Sequence, residues 1–174
     1  STREENGFQL KAGEIRKVIG PGTKAILVNS PANPMGTIIP REDLREICGL
    51  GVPVISDEIY HGLVYGEKAH TSLEFTEETY VLNGFSKLFA MTGWRLGYII
   101  MPEKRLRKMQ ILQQNFFISP NSFVQKAGVC ALEEDHPEVE KMIALYDERR
   151  RFLLKRLPEL GLDYAVEPKG AFYI

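Results

Sequence analysis

The sequence predicts an α/β protein: a three-layer sandwich on a mainly parallel sheet, then a long helix and the start of a smaller α+β unit. Three observations lead there. Short all-apolar runs recur between turn-rich segments, as in strands buried on both faces. A strand, a helix and a second strand follow one another within about thirty residues, the spacing of a βαβ unit with parallel strands. From residue 103 onward helical periodicity takes over and ends in one long amphipathic stretch.

Taken in order, "KAILVN" (24–29) is the first buried strand, bounded by "GPGT" and the turn-rich "SPANPMG". "PREDLREICGLG" is a helix: proline in the first turn, acids near its start, Leu44, Ile47 and Cys48 on one face, glycine at its end. "VPVIS" (52–56) is the second strand, and "TYVLNGFS" (79–86) and "GYIIM" (97–101) have the same character, continuing a sheet expected to be covered on both faces. "EKRLRKMQILQQN" and "PNSFVQKAGVCALEE" are helical by propensity and spacing. Beyond Pro137, a single helix face carries Val139, Met142, Ile143, Tyr146, Leu153, Leu154 and Leu157. The closing "DYAVEPKGAFYI" alternates and contains turn residues, so it reads as the first strands of a second, smaller unit.

Composition narrows the function classes. The chain has 174 residues, 44% hydrophobic and 26% charged, enough for one sizeable core. With 22 basic against 23 acidic residues and no single-sign block, neither nucleic acid nor an anionic membrane is an expected partner. Cys48 and Cys130 lack metal-ligand spacing, and His61, His70 and His136 form no ligand pattern, so a metal-free, reduced, cytoplasmic protein is expected. No leader pattern opens the chain, and no run approaches the roughly 18 apolar residues of a membrane span. A start without methionine and an end on the strand-like "GAFYI" suggest a fragment of a longer protein.

In open α/β sheets the ligand crevice lies outside the carboxyl ends of the strands, and the chemically equipped residues fall there. Asn33 follows the first strand, Asp57 and Tyr60 follow the second, and Ser86 and Lys87 follow the third. Taken singly, each has an ordinary role: Asn33 as a turn former, Arg95 in a surface ion pair, Asp57 as a helix cap, Tyr60 as core, Lys87 as a solvated charge. The neighbours of Lys87, "GFS" and "LFAMTGW", are apolar, a setting that suits an amine nucleophilic toward carbonyls. Glu58, next to Asp57, reads as structural.

"NPMG" (33–36), "SDEIY" (56–60) and "SKLFAMTGWRLGY" (86–98), in that order and with Arg95 eight residues past Lys87, resemble the fold-type I, class I/II aminotransferases. The resemblance covers nearly the whole chain and implies pyridoxal phosphate as cofactor. It implies that Lys87 holds the cofactor as a Schiff base and then shuttles a proton, being both tether and general acid/base. It matches Asp57 to the carboxylate facing the pyridine nitrogen, and Tyr60 and Asn33 to the donors on the ring oxygen. Arg95 matches the phosphate-binding guanidinium, and Ser86 adds a hydroxyl. Many relatives also have a serine three residues before the lysine; Gly84 stands there, so a phosphate contact from that position is not implied.

The resemblance divides the chain into 1–138, part of a large cofactor-binding domain, and 139–174, the interdomain helix and the beginning of the small domain. It implies amino acid and 2-oxo acid substrates and a homodimeric parent. Family members are roughly twice as long, so the phosphate-cradling loop, a ring-stacking aromatic and the arginine for the substrate α-carboxylate are expected elsewhere. The isolated piece is expected to be inactive or nearly so. A lyase or synthase using the same cofactor would share every residue named. A non-catalytic regulatory domain binding the cofactor should follow a basic DNA-binding segment, and none is visible.

Overall fold

A computed structural model describes residues 2–174; Ser1, the first residue of the expected 1–138 body, lies outside them. Four strands, β1 (Ile26–Asn29), β2 (Val54–Asp57), β3 (Thr79–Gly84) and β4 (Gly97–Ile100), form one sheet in sequence order. The first three are parallel, with Asn29 opposite Asp57 and Asp57 opposite Leu82; β4 runs antiparallel to β3, with Gly84 opposite Gly97. Each strand forms where the apolar runs predict it. Because β4 is antiparallel, its first residues share the edge on which β1, β2 and β3 end. That shared edge brings residues before β4 to the same rim as residues after the other three strands.

One face of the sheet is closed. Helix α1 (Ala12–Arg16) and helix α2 (Arg41–Cys48) lie against it, and Ala12, Leu44, Ile47 and Cys48 pack with Ile26, Val28 and Val54. Burying side chains of this size is worth roughly 1.5–3 kcal/mol apiece, so this cluster holds the sheet to its helices. Lys11 adds a 2.6 Å ion pair to Asp43 in the first turn of α2.

The opposite face departs from expectation. Leu27 and Leu82, which point away from that core, are 69% and 37% exposed while Ile55 and Tyr80 beside them are half-buried, so among the described residues the cover on this face is partial. All-apolar strands encode burial of both faces, but which element supplies the cover is not written in them.

Three helices follow: α3 (Glu103–Phe116), α4 (Ser122–Glu133), capped by Asn121, whose side chain accepts from the Phe123 amide, and α5 (Pro137–Glu159). On α5 the half-buried stripe includes Met142, Ile143 and Tyr146, which pack against the cluster of Tyr60, Leu63 and Ala171. Leu153, expected on that stripe, is 41% exposed. Arg150 turns inward instead, pairing with Asp147 and Glu167 at 2.9 Å and lying 5.2 Å from the Tyr65 ring centre.

The expected strands over 163–174 do not form. The segment lies back across the loops of the parallel strands, with one isolated antiparallel bridge between Val64 and Gly170. Lys169 and Gly170 donate their amides to the Gly36 carbonyl at 2.8 and 2.9 Å, and Ala171 donates to the Leu63 carbonyl at 2.9 Å. The approach is close enough to require glycine: a Cβ on Gly36, at φ +63°, would lie 2.4 Å from Pro168 Cβ, and one on Gly170 would lie 2.6 Å from Pro31 Cβ. The alternation in this segment satisfies two loops and not a sheet ladder.

Candidate active site

The site is built at the common rim of the sheet. Asp57 closes β2, and its Oδ1 accepts the Ile59 amide at 3.2 Å, an Asx turn that bends the chain out of the strand. That turn carries Tyr60, which is buried, back under the rim. The adjacent Glu58 points the other way: it is 2% exposed, and its Oε1 accepts from the Ser56 hydroxyl at 2.8 Å and from the Thr71 hydroxyl and Ser72 amide at 3.0 Å. A buried carboxylate with three donors is anchored in place, and it fixes the turn on which Asp57 and Tyr60 stand.

Asn33 follows β1, and both the Ser30–Pro31 and Asn33–Pro34 bonds are cis. Its amide Nδ2 points at the Tyr60 hydroxyl at 3.4 Å and the Tyr173 hydroxyl at 3.2 Å, and the two hydroxyls lie 2.8 Å apart. Burial pushes the Tyr60 phenol far above its ordinary value, so it is protonated throughout the neutral range. The Nζ of Lys87, on the turn after β3, lies 5.7 Å from the Tyr60 ring centre and 5.6 Å from that of Phe172. Asn33, Tyr60 and Lys87 thus converge, although 27 residues separate the first two.

Ser86 and Arg95 meet through a third residue. The Thr92 hydroxyl donates to the Ser86 carbonyl at 2.7 Å, and Arg95 Nη1 donates to the Thr92 carbonyl at 2.9 Å. Arg95 is exposed and adopts a left-handed backbone at φ 56°, a conformation uncommon for arginine, just before β4 begins.

Gly84 has a steric explanation: a Cβ there would sit 2.9 Å from both the Leu96 carbonyl oxygen and Gly97 Cα. Strands β3 and β4 approach too closely at that pair for a side chain.

Two site residues have no signal in the sequence motifs. Asn29, the last residue of β1, donates its side-chain amide to the Asp57 carbonyl at 3.0 Å and accepts the Asn33 amide at 2.8 Å, tying together the loops after β1 and β2. Tyr173 reaches Tyr60 from 113 residues away. Beside them, Tyr65, Tyr146, Arg149, Arg150, Phe172 and Tyr173 border a cavity of about 340 Å³. Among the described residues no cluster of His, Cys, Asp and Glu suits a metal ion, and no helix is long and apolar enough to cross a membrane. Cys48 is buried beneath the sheet, where burial and then the charge of Glu58 push its thiol up to about 11, far from a nucleophile's range.

Comparisons with known proteins bear on this arrangement. A family model described as aminotransferase class I and II matches residues 1–174. An aspartate aminotransferase of Pyrococcus abyssi is 43% identical over 99% of this chain and 47% of its own length. An aromatic-amino-acid aminotransferase of Thermococcus litoralis is also 43% identical, with the same two coverages. The crystal structure of an aromatic aminotransferase from Pyrococcus horikoshii superposes with a TM-score of 0.91 at 39% identity, covering 98% of this chain and 48% of that one. The chain therefore spans about half the length of the relatives it matches.

Proposed function

The chain belongs to the class I and II aminotransferases, a pyridoxal-phosphate-dependent family, and from that premise we propose that the whole protein transfers an amino group between an L-amino acid and a 2-oxo acid. The observation that carries this reading is the convergence of the Lys87 amine, the Asn33 amide and the Tyr60 hydroxyl at the rim where β1, β2 and β3 end. The donor set suits the cofactor. Lys87 would hold its aldehyde carbon covalently, Asn33 and Tyr60 would donate to its ring oxygen, Asp57 would face its ring nitrogen, and Arg95 with Ser86 would meet its phosphate. Bound there, pyridoxal phosphate supplies an electron sink for charge released at the substrate α-carbon.

The remaining chemistry falls to the chain itself. Lys87, once free, takes and returns a proton at Nζ, which lies beside the Tyr60 and Phe172 rings. The Asp57 carboxyl, held by the Ile59 amide, would take a hydrogen bond from the ring nitrogen. Tyr60 stays protonated because burial disfavours its anion, so its hydroxyl keeps a proton to donate. The cavity of about 340 Å³ beside Tyr173 is of a size for small amino and oxo acids.

The same reading assigns 1–138 to the cofactor-holding body and 139–174 to a linking helix and the start of a smaller unit. It is supported by α5, whose contact with the site cluster is the half-buried stripe of Met142, Ile143 and Tyr146. It also makes the protein a cytoplasmic homodimer, and the exposed apolar run Phe116, Phe117 and Ile118 offers surface for such contact.

Incubation with pyridoxal phosphate, borohydride reduction and peptide mass spectrometry test the reading. Covalent label at Lys87, lost in Lys87→Ala, is the expected result; label spread over surface lysines would sink it.

A further inference from the structure

Resting on the cofactor reading above, we propose that Tyr173 is a positioning residue of the site: its hydroxyl donates to that of Tyr60, so that the Tyr60 proton is aimed at the ring oxygen of the bound cofactor.

The hydrogen count leads to this assignment. Of the two Asn33 amide hydrogens, one is assigned above to the ring oxygen, which leaves one for the phenol oxygens, at 3.4 Å from Tyr60 and 3.2 Å from Tyr173. The phenols are 2.8 Å apart, and one of them must give its proton to the other. A single phenol proton is then left to point out of the cluster. When Tyr173 gives, the free proton belongs to Tyr60, and an electron-rich ring oxygen selects this order because each donor in such a chain strengthens the next. Without Tyr173, the Tyr60 hydroxyl has only the 3.4 Å contact to Asn33 to set its rotation.

The hydroxyl of Tyr173 is presented on a fixed support. Ala171 is fully buried, donates its amide to Leu63 and accepts the Tyr65 hydroxyl at 2.6 Å. The Tyr173 ring lies tilted at 43° to the Phe172 ring, 4.9 Å between centres, and meets the Tyr60 ring edge-on at 5.9 Å. Burial keeps Tyr60 protonated, so it can pass on the donation it receives.

The test is a pH titration of the visible absorption of the full protein loaded with pyridoxal phosphate, for the unsubstituted protein, Tyr173→Phe, Tyr60→Phe and the double variant. A weaker donor at the ring oxygen leaves more negative charge beside the proton at Lys87 Nζ, which is then held to higher pH. Tyr173→Phe is expected to raise the colour transition by about half a unit to one unit, a threefold to tenfold change in proton affinity, with borohydride label at Lys87 retained. Tyr60→Phe should move it further the same way, and Tyr173→Phe should add nothing in the Tyr60→Phe background. A Tyr173→Phe transition coincident with the unsubstituted one, or an equal shift with and without Tyr60, overturns the inference. Absence of label at Lys87 in the unsubstituted protein is a separate outcome: it overturns the cofactor reading, and the role of Tyr173 falls with it.

Discussion

Asp57 and Glu58 are chemically alike and adjacent, yet one faces the rim and the other is sealed behind it, because successive residues leaving a strand point to opposite sides. The same economy appears at Asn29, whose single amide group donates to the Asp57 carbonyl and accepts the Asn33 amide. Asn29→Ala removes both partners at once, leaving a half-buried carbonyl and an amide to find water. Such a loss costs about 1–3 kcal/mol. The variant is expected to unfold at lower urea concentration by that amount and to retain pyridoxal phosphate less well on dialysis, whereas Asn29→Asp, which keeps the acceptor for Asn33, should retain more. Equal retention in all three proteins would show that the two loops hold their places without Asn29.

At the scale of elements, β3 and β4 meet at Gly84 and Gly97, where the backbones approach until a Cβ on Gly84 would be 2.9 Å from the Leu96 oxygen. Gly84→Ser, which restores the hydroxyl many relatives have three residues before the lysine, must push the strands apart. Overpacking of this kind costs about 1–3 kcal/mol, and thermal unfolding should show a lower midpoint with no gain in cofactor retention. A tighter-binding, equally stable variant would mean that the strand pair yields easily. The four strands, α2 to α5 and the rim were legible because each rests on a local pattern: an apolar run between turns, a capped amphipathic stretch, a residue type just past a strand. Tyr173 and Asn29 were not, since their roles come from a contact across 113 residues and from a side chain bridging two loops. The segment 163–174 misled for a related reason. Alternation fits any extended chain with two different sides, and here the segment bonds the loops that carry Gly36 and Leu63 instead of a neighbouring strand.

For the molecule as a whole, the buried polar cluster behind the rim sets how stability depends on pH. Burial, first, lowers His61 below the ordinary imidazole value, against the opposing pull of Glu58 and of the Ser30 backbone; His70 lowers it further, and Glu74 opposes. Its Nδ1 lies 3.4 Å from Glu58 Oε2, and its Nε2 is buried without a hydrogen bond, so a second ring proton would have no acceptor. A folded value below the unfolded one means that the unfolded chain binds the proton more readily, and stability rises with pH across that interval. The contribution is fully present above the ordinary histidine value of about 6.5 and is lost as pH falls from there through the lower folded value. Glu167 acts in the same sense at more acid pH. Hydrogen bonds from Lys169 and Arg150 lower its carboxyl, so the support it gives Arg150 disappears as pH falls through the carboxylate range. Urea midpoints measured from pH 8 downward should stay level to about pH 7 and then decline in two stages. In His61→Gln the first stage should vanish and the second remain. A variant that keeps both stages would place the first decline on another group and free His61 from any part in acid sensitivity.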